Sequence, residues 1–119
     1  AQILMEAMRG VVTSGSATRL QIEGLDVGAK TGTAQIGTER PLRSHAWVIA
    51  WAGPIGQAPT VAVAVLVEAQ DGVSEQTGGR VAAPIAKQVI EAAMQPMPAP
   101  PPVESSTTTP AHSTTTSNP

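Results

Sequence analysis

Between residues 3 and 13 the apolar positions recur with a helical period. Ile3, Leu4, Ala7, Met8, Val11 and Val12 fall at i, i+3/i+4 and i+7/i+8, which predicts a helix over 3–13 with that stripe buried. Glu6 and Arg9 sit off the stripe three positions apart, where a weak pair is expected. Ser14-Gly15-Ser16 ends the helix, with Gly15 as a natural left-handed cap residue. Over 18–28, Leu20 and Ile22 alternate with polar neighbours until Gly24 and Gly28 break the pattern, so a loop holding at most a short strand is expected. Residues 29–37 follow as a strand with Thr31, Thr33 and Gln35 on one face. A charged turn around Pro41 fills 38–44.

The next run, His45 to Ala52, is continuously apolar and suits a strand covered on both faces. Trp47, Ile49 and Trp51 point one way, and both tryptophans are expected in the core. After a loop at 53–59, residues 60–68 form another strand. Val61, Val63, Val65 and Val67 put bulk on one face, and Ala62 and Ala64 leave the other open to a close-packed helix. A polar loop over 69–79 ends in Gly78-Gly79. The last element is a helix at about 81–94 with Pro84 in its first turn and Ile85, Val89 and Ala92 as its buried stripe.

Short links between the strands favour antiparallel neighbours. The expected fold is α+β: a partial antiparallel sheet of about three strands with helices packed on one face, incomplete at one edge. Residues 1–95 carry it. From Pro96 the chain turns to Pro, Ser and Thr, and 96–119 is expected to be a disordered tail. The 119 residues begin Ala1-Gln2 and are apolar from Ile3, as though cut from a longer protein. Ala and Val dominate the apolar content and bury little area each, so the core is thin and a partner segment is expected.

Composition removes several functions. Net charge is −2, with no basic cluster and no aromatic platform, so nucleic acid is not expected as a partner. The absence of Cys rules out a disulfide framework and thiolate metal sites. No apolar run approaches the ~18 residues of a membrane span, and no signal peptide is visible.

The chemistry concentrates in Lys30-Thr31-Gly32-Thr33-Ala34-Gln35: a cation, two hydroxyls and a residue without a side chain, in extended chain. That set suits holding a carboxylate and a developing oxyanion against a strand. Gly24 to Thr31 also nearly matches the phosphate-binding pattern G-x-x-x-x-G-K-[ST]. Ala29 stands in place of its last glycine, the preceding strand is weak, and Gly32 to Gly37 is a poor helix where one should begin. His45 has no carboxylate partner by sequence and is expected to be structural. Asp26, Glu39 and Glu68 look like loop or strand-end charges, and Met94 and Met97 mark a helix end.

Lys30-Thr31-Gly32 is one of three motifs shared by penicillin-binding proteins and class A β-lactamases. Together with His45-Ala46-Trp47, Pro59 to Glu68, Gly78-Gly79 and Ala82-Ala83-Pro84-Ile85, it resembles the C-terminal part of a penicillin-binding transpeptidase domain, most like the monofunctional class B proteins. The resemblance covers residues 3–95. Gly28-Ala29 reverses the family's commoner Ala-Gly order. The family's Ser-x-x-Lys and Ser-x-Asn motifs do not occur: Ser14, Ser16, Ser44 and Ser74 all lack a Lys three positions on.

The resemblance implies a serine D,D-transpeptidase that cross-links peptidoglycan stem peptides ending in D-Ala-D-Ala through an acyl-serine intermediate and that binds β-lactams. It implies catalytic roles for Lys30 and Thr33 and substrate binding by Thr31, Gly32 and Thr33. It also implies no cofactor or metal, glycosyltransferase partners of cell division or cell shape, and a place on the outer side of the bacterial cytoplasmic membrane. Any membrane anchor would lie upstream. The chain by itself, lacking a nucleophile, is expected to be inactive. A non-catalytic penicillin-sensing or interaction domain with the same sheet is the alternative, and a nucleotide-binding fragment a lesser one.

Overall fold

The structure is a computed structural model and describes residues 1–73 and 76–96. The expected tail, Pro96 apart, lies outside the described residues. In chain order the elements are α1 (Gln2–Thr13), a 3-10 turn (Thr18–Leu20), strands β1 (Leu25–Ile36), β2 (Arg43–Pro54) and β3 (Val61–Val67), a π turn (Gly78–Ala82) and α2 (Ala83–Met94). The three strands form one antiparallel sheet in the order β1-β2-β3. This is the α+β layer expected from the sequence.

β1 starts at Leu25, four residues before the expected boundary, and the stretch before it holds a 3-10 turn rather than a strand. The glycine that seemed to interrupt the strand is part of it. Gly28 lies opposite Trp51, and a Cβ there would enter the indole ring. The indole thus occupies the space of a missing side chain, and Gly at 28 is compatible with a regular strand because of that close approach.

The core lies on one face of the sheet. Val27 and Ala29 of β1, Val48, Ala50 and Ala52 of β2, and the valines of β3 meet Val12, Leu20, Ala83, Ala86 and Ile90. Leu20, Val48 and Ile90 are fully buried, and each such side chain contributes about 1.5–3 kcal/mol. The many alanines let α2 come close to the sheet.

The position of that core corrects several expectations. α2 packs on the valine face of β3, and the Ala62–Ala64 face is exposed. The buried stripe of α2 is Ala83, Ala86 and Ile90, while Ile85 and Val89 face outward. Among the described residues β2 is covered on one face only. Its other face carries Trp47 and Ile49, 43% and 52% exposed, so Trp47 is not core and Trp51 is half-buried. On α1 only Val12 is buried, and Ile3 and Leu4 are 85% and 65% exposed. The alternation along β2 and β3 is the one the sequence predicts; which face the helices cover depends on contacts distant in sequence.

Two local features also differ. Arg9 does not pair with Glu6 but reaches Asp26 on β1, with two bonds from Nε at 2.8 and 2.9 Å and one from Nη2 at 2.7 Å. Its guanidinium lies 5.0 Å from the Trp51 ring centroid. The hydrogen bonds to Asp26 raise its pKa above the ordinary arginine value. Asp26 is thus a strand-end charge, the second of the two expected placements, and it fastens α1 to β1. Helix α1 ends at Ser14, whose N–H reaches the carbonyls of Gly10 and Val11, and Gly15 has no left-handed conformation. His45 is structural as expected: its Nδ1 accepts the Ala69 N–H at 2.9 Å, fastening the start of β2 to the chain beyond β3.

Candidate active site

Lys30 to Thr33 lie in β1, the edge strand of the described sheet. Extended chain at Lys30 excludes the phosphate-binding loop, which needs a helix to begin there. Gly32 is paired with Trp47. A Cβ on Gly78 would collide with the Trp47 carbonyl oxygen and come within 2.9 Å of that of Gly32. Two carbonyls that converge so closely belong to a pair whose backbone groups face each other. Thr31 and Thr33, one position to either side, therefore turn their N–H and C=O groups to the outer edge. The Lys30 ammonium accordingly donates to the Thr31 carbonyl at 2.5 Å.

The side chains divide by alternation. Lys30 shares a face with Gly28 and Gly32, over Ile49 and Trp47. Thr31, Thr33 and Gln35 share the opposite one. Lys30 is exposed and has no ion-pair partner among the described residues. Its ammonium curls to the strand's outer edge, so cation and hydroxyls both border the space beside β1. Gly32 itself is open. A Cβ there would meet only Trp47 side-chain atoms, at ordinary contact distances of 3.4 and 3.9 Å.

Three further residues belong to this region and were not visible as such in the sequence. Ser16, which seemed only to end a helix, places its Oγ 2.5 Å from the Thr31 hydroxyl. Arg80 and Gln76 come from the far side of the chain, 47 and 43 positions beyond Thr33, and line a cleft of about 600 Å³ with Thr33, Gln35 and Arg40. The π turn that carries Arg80 is seated by Gly78 against the Gly32–Trp47 pair. No local periodicity signals this contact; the Gly78-Gly79 pair was its one trace.

Among the described residues no group of three His, Cys, Asp or Glu is placed to hold a metal ion. The arrangement offers hydrogen-bond donors and cations along an open strand edge. It suits binding an anionic, extended peptide and polarising a carbonyl.

The family model described as the penicillin-binding protein transpeptidase domain matches residues 1–91. The chain is 53% identical over 78 residues to the peptidoglycan D,D-transpeptidase PbpA of Mycobacterium tuberculosis, covering 65% of this chain and 16% of the relative. The PbpA protein of Mycolicibacterium smegmatis is 48% identical over 75 residues, covering 62% and 15%. Among solved structures, the D,D-transpeptidase domain of a peptidoglycan glycosyltransferase from Eggerthella lenta is similar with a TM-score of 0.56 and 31% identity, over 75% of this chain and 18% of that one. The transpeptidase domain of the FtsI4 D,D-transpeptidase from Legionella pneumophila gives 0.60 and 25%, over 79% and 35%.

Proposed function

Since the chain belongs to the penicillin-binding protein transpeptidase family, we propose that it forms one wall of a peptidoglycan D,D-transpeptidase site whose nucleophilic serine lies in sequence outside these 119 residues. The observation that carries this reading is the position of Lys30-Thr31-Gly32-Thr33 on an edge strand with Thr31 and Thr33 turned outward. The substrate is a stem peptide ending in D-Ala-D-Ala, lying along β1 by strand addition. The Thr31 and Thr33 hydroxyls bind its terminal carboxylate. The Thr33 N–H is one oxyanion donor, and the serine's own N–H is the other. Lys30 holds positive potential in the cleft and assists proton transfer through a neighbouring serine.

Ser16 has a defined part in this. A hydroxyl that donates to the substrate carboxylate cannot also donate to Ser16, so Ser16 donates to Thr31 and leaves its proton for the substrate. The serine attacks the carbonyl carbon of the penultimate D-alanine, the terminal D-alanine leaves with a proton on its amine, and an amine of a second stem peptide takes the acyl group. β-Lactams acylate the same serine. The protein acts on the outer side of the cytoplasmic membrane, with glycosyltransferase partners. A non-catalytic sensor with the same sheet would be acylated but would transfer nothing.

Gly32 gives a clean test. Within this chain Ala fits at 32 and is favoured over Gly in a strand by about 0.5–1 kcal/mol. Gly32→Ala is therefore expected to keep or raise the melting temperature of the complete protein and to slow its acylation by fluorescent penicillin at least about tenfold, because the new methyl meets the peptide alongside. An unchanged acylation rate would remove the substrate from this strand.

A further inference from the structure

We propose that the cleft opening from Thr33 is a subsite for the carboxylate of the peptide whose amine receives the acyl group. This rests on the transpeptidase reading above. Two independent observations point to a ligand. Arg40 and Arg80 both line the cleft, both are exposed, and neither has an ion-pair partner among the described residues. Among the described residues no Asp or Glu lines it. Gln76, in contrast, is only 7% exposed, and its Oε1 is buried without a hydrogen-bond partner among the described residues. Its main-chain oxygen accepts the Ser44 hydroxyl at 2.7 Å, which holds the backbone of this residue beside β2.

A buried acceptor without a donor keeps its desolvation penalty until the Gln76 amide turns toward the cleft and a ligand supplies an N–H. Two guanidinium groups without an ion-pair partner among the described residues select a planar anion that accepts paired hydrogen bonds. The ligand that satisfies both is a carboxylate with an amide N–H close by, which is the end of a peptide. The chemistry of transfer says which peptide. The leaving amine departs on the side where Thr31 and Thr33 hold its carboxylate, and the incoming amine enters from the space it vacates. Groups attached to that amine then extend past Thr33 into the cleft. In the transfer step the amine nitrogen bonds to the acyl carbon, the ester bond to the serine oxygen breaks, and the amine's proton passes to that oxygen.

The test compares two acceptors that differ only in the carboxylate, glycylglycine and glycylglycinamide, with the complete protein and a D-alanyl-D-alanine donor peptide. The unaltered protein is expected to prefer glycylglycine by at least about tenfold, the scale of a charge-assisted bond. Arg40→Gln with Arg80→Gln is expected to abolish that preference. Equal use of both acceptors by the unaltered protein would overturn the proposal, as would a preference that survives the double substitution. Parallel loss of penicillin acylation in the double variant would place the arginines on the donor's carboxylate and overturn it too. Absence of acylation in the unaltered protein would be a different failure, sinking the proposed function and this subsite with it.

Discussion

Lys30→Ala in the complete protein is expected to leave the fold intact and to cut acylation by fluorescent penicillin by about 10²-fold or more, the lower range for losing a positioned proton-transfer group. The two halves of that expectation rest on separate observations. Lys30 is exposed, and among the described residues its side chain bonds only to the carbonyl of the next residue and leaves no acidic partner stranded when it goes. The fold therefore has little to lose. On the proposed reading the site loses the one cation at this strand edge among the described residues, beside the groups proposed to hold a carboxylate and an oxyanion. The measurement is the second-order acylation rate beside the melting temperature. Normal acylation by a folded Lys30→Ala protein would mean that the motif has been assigned to the wrong role.

The largest effect on stability is expected at Gly78. Its Cα rests on the carbonyls of Trp47 and Gly32, so a methyl group has no room unless the π turn lifts from the sheet. Backbone cannot yield as a flexible side chain does. Gly78→Ala is expected to cost about 3 kcal/mol or more, at or above the upper range for overpacking. That is a large part of a typical stability of about 5–15 kcal/mol. Gly10→Ala serves as the comparison: Gly10 lies within α1 with nothing near its would-be Cβ, and Ala suits a helix better. Thermal melts should show a fall for Gly78→Ala and none for Gly10→Ala. Because Gly78 seats the turn that carries Arg80, the first variant should also weaken transfer more than Lys30-dependent acylation. Equal melting of the two variants would show that the turn does not bear on the sheet.

How much of this was legible in the residues differs by feature. Both helices and the three strands follow from spacing, and the antiparallel order from the short links between strands, because period and link length are local properties. The motif at Lys30-Thr31-Gly32 was visible for the same reason. The covered face was not. Val61, Val63, Val65 and Val67 alternate cleanly with Ala62, Ala64 and Leu66, but alternation has no sign, and only α2 lying on the valines decides it. Trp47 and Trp51 misled in the same way. A tryptophan on an apolar strand suggests a core, yet here the core lies on the opposite face, where alanines pack with Leu20, Val48 and Ile90, and Trp51 instead fills the space above Gly28 and beneath Arg9. The start of β1 was missed because Gly28 counts against a strand until its partner is known. Ser16, Gln76 and Arg80 were missed because each comes to β1 from another part of the chain.

The most direct measurement is the structure of the complete protein acylated by a penicillin. The expected result is the antibiotic stretched along the outer edge of β1, its carboxylate within about 3 Å of the Thr31 and Thr33 hydroxyls and its acyl oxygen at the Thr33 N–H, the ordinary hydrogen-bond distance. A bound antibiotic that leaves this edge empty, or a β1 edge already paired with another strand of the same protein, would contradict the assignment.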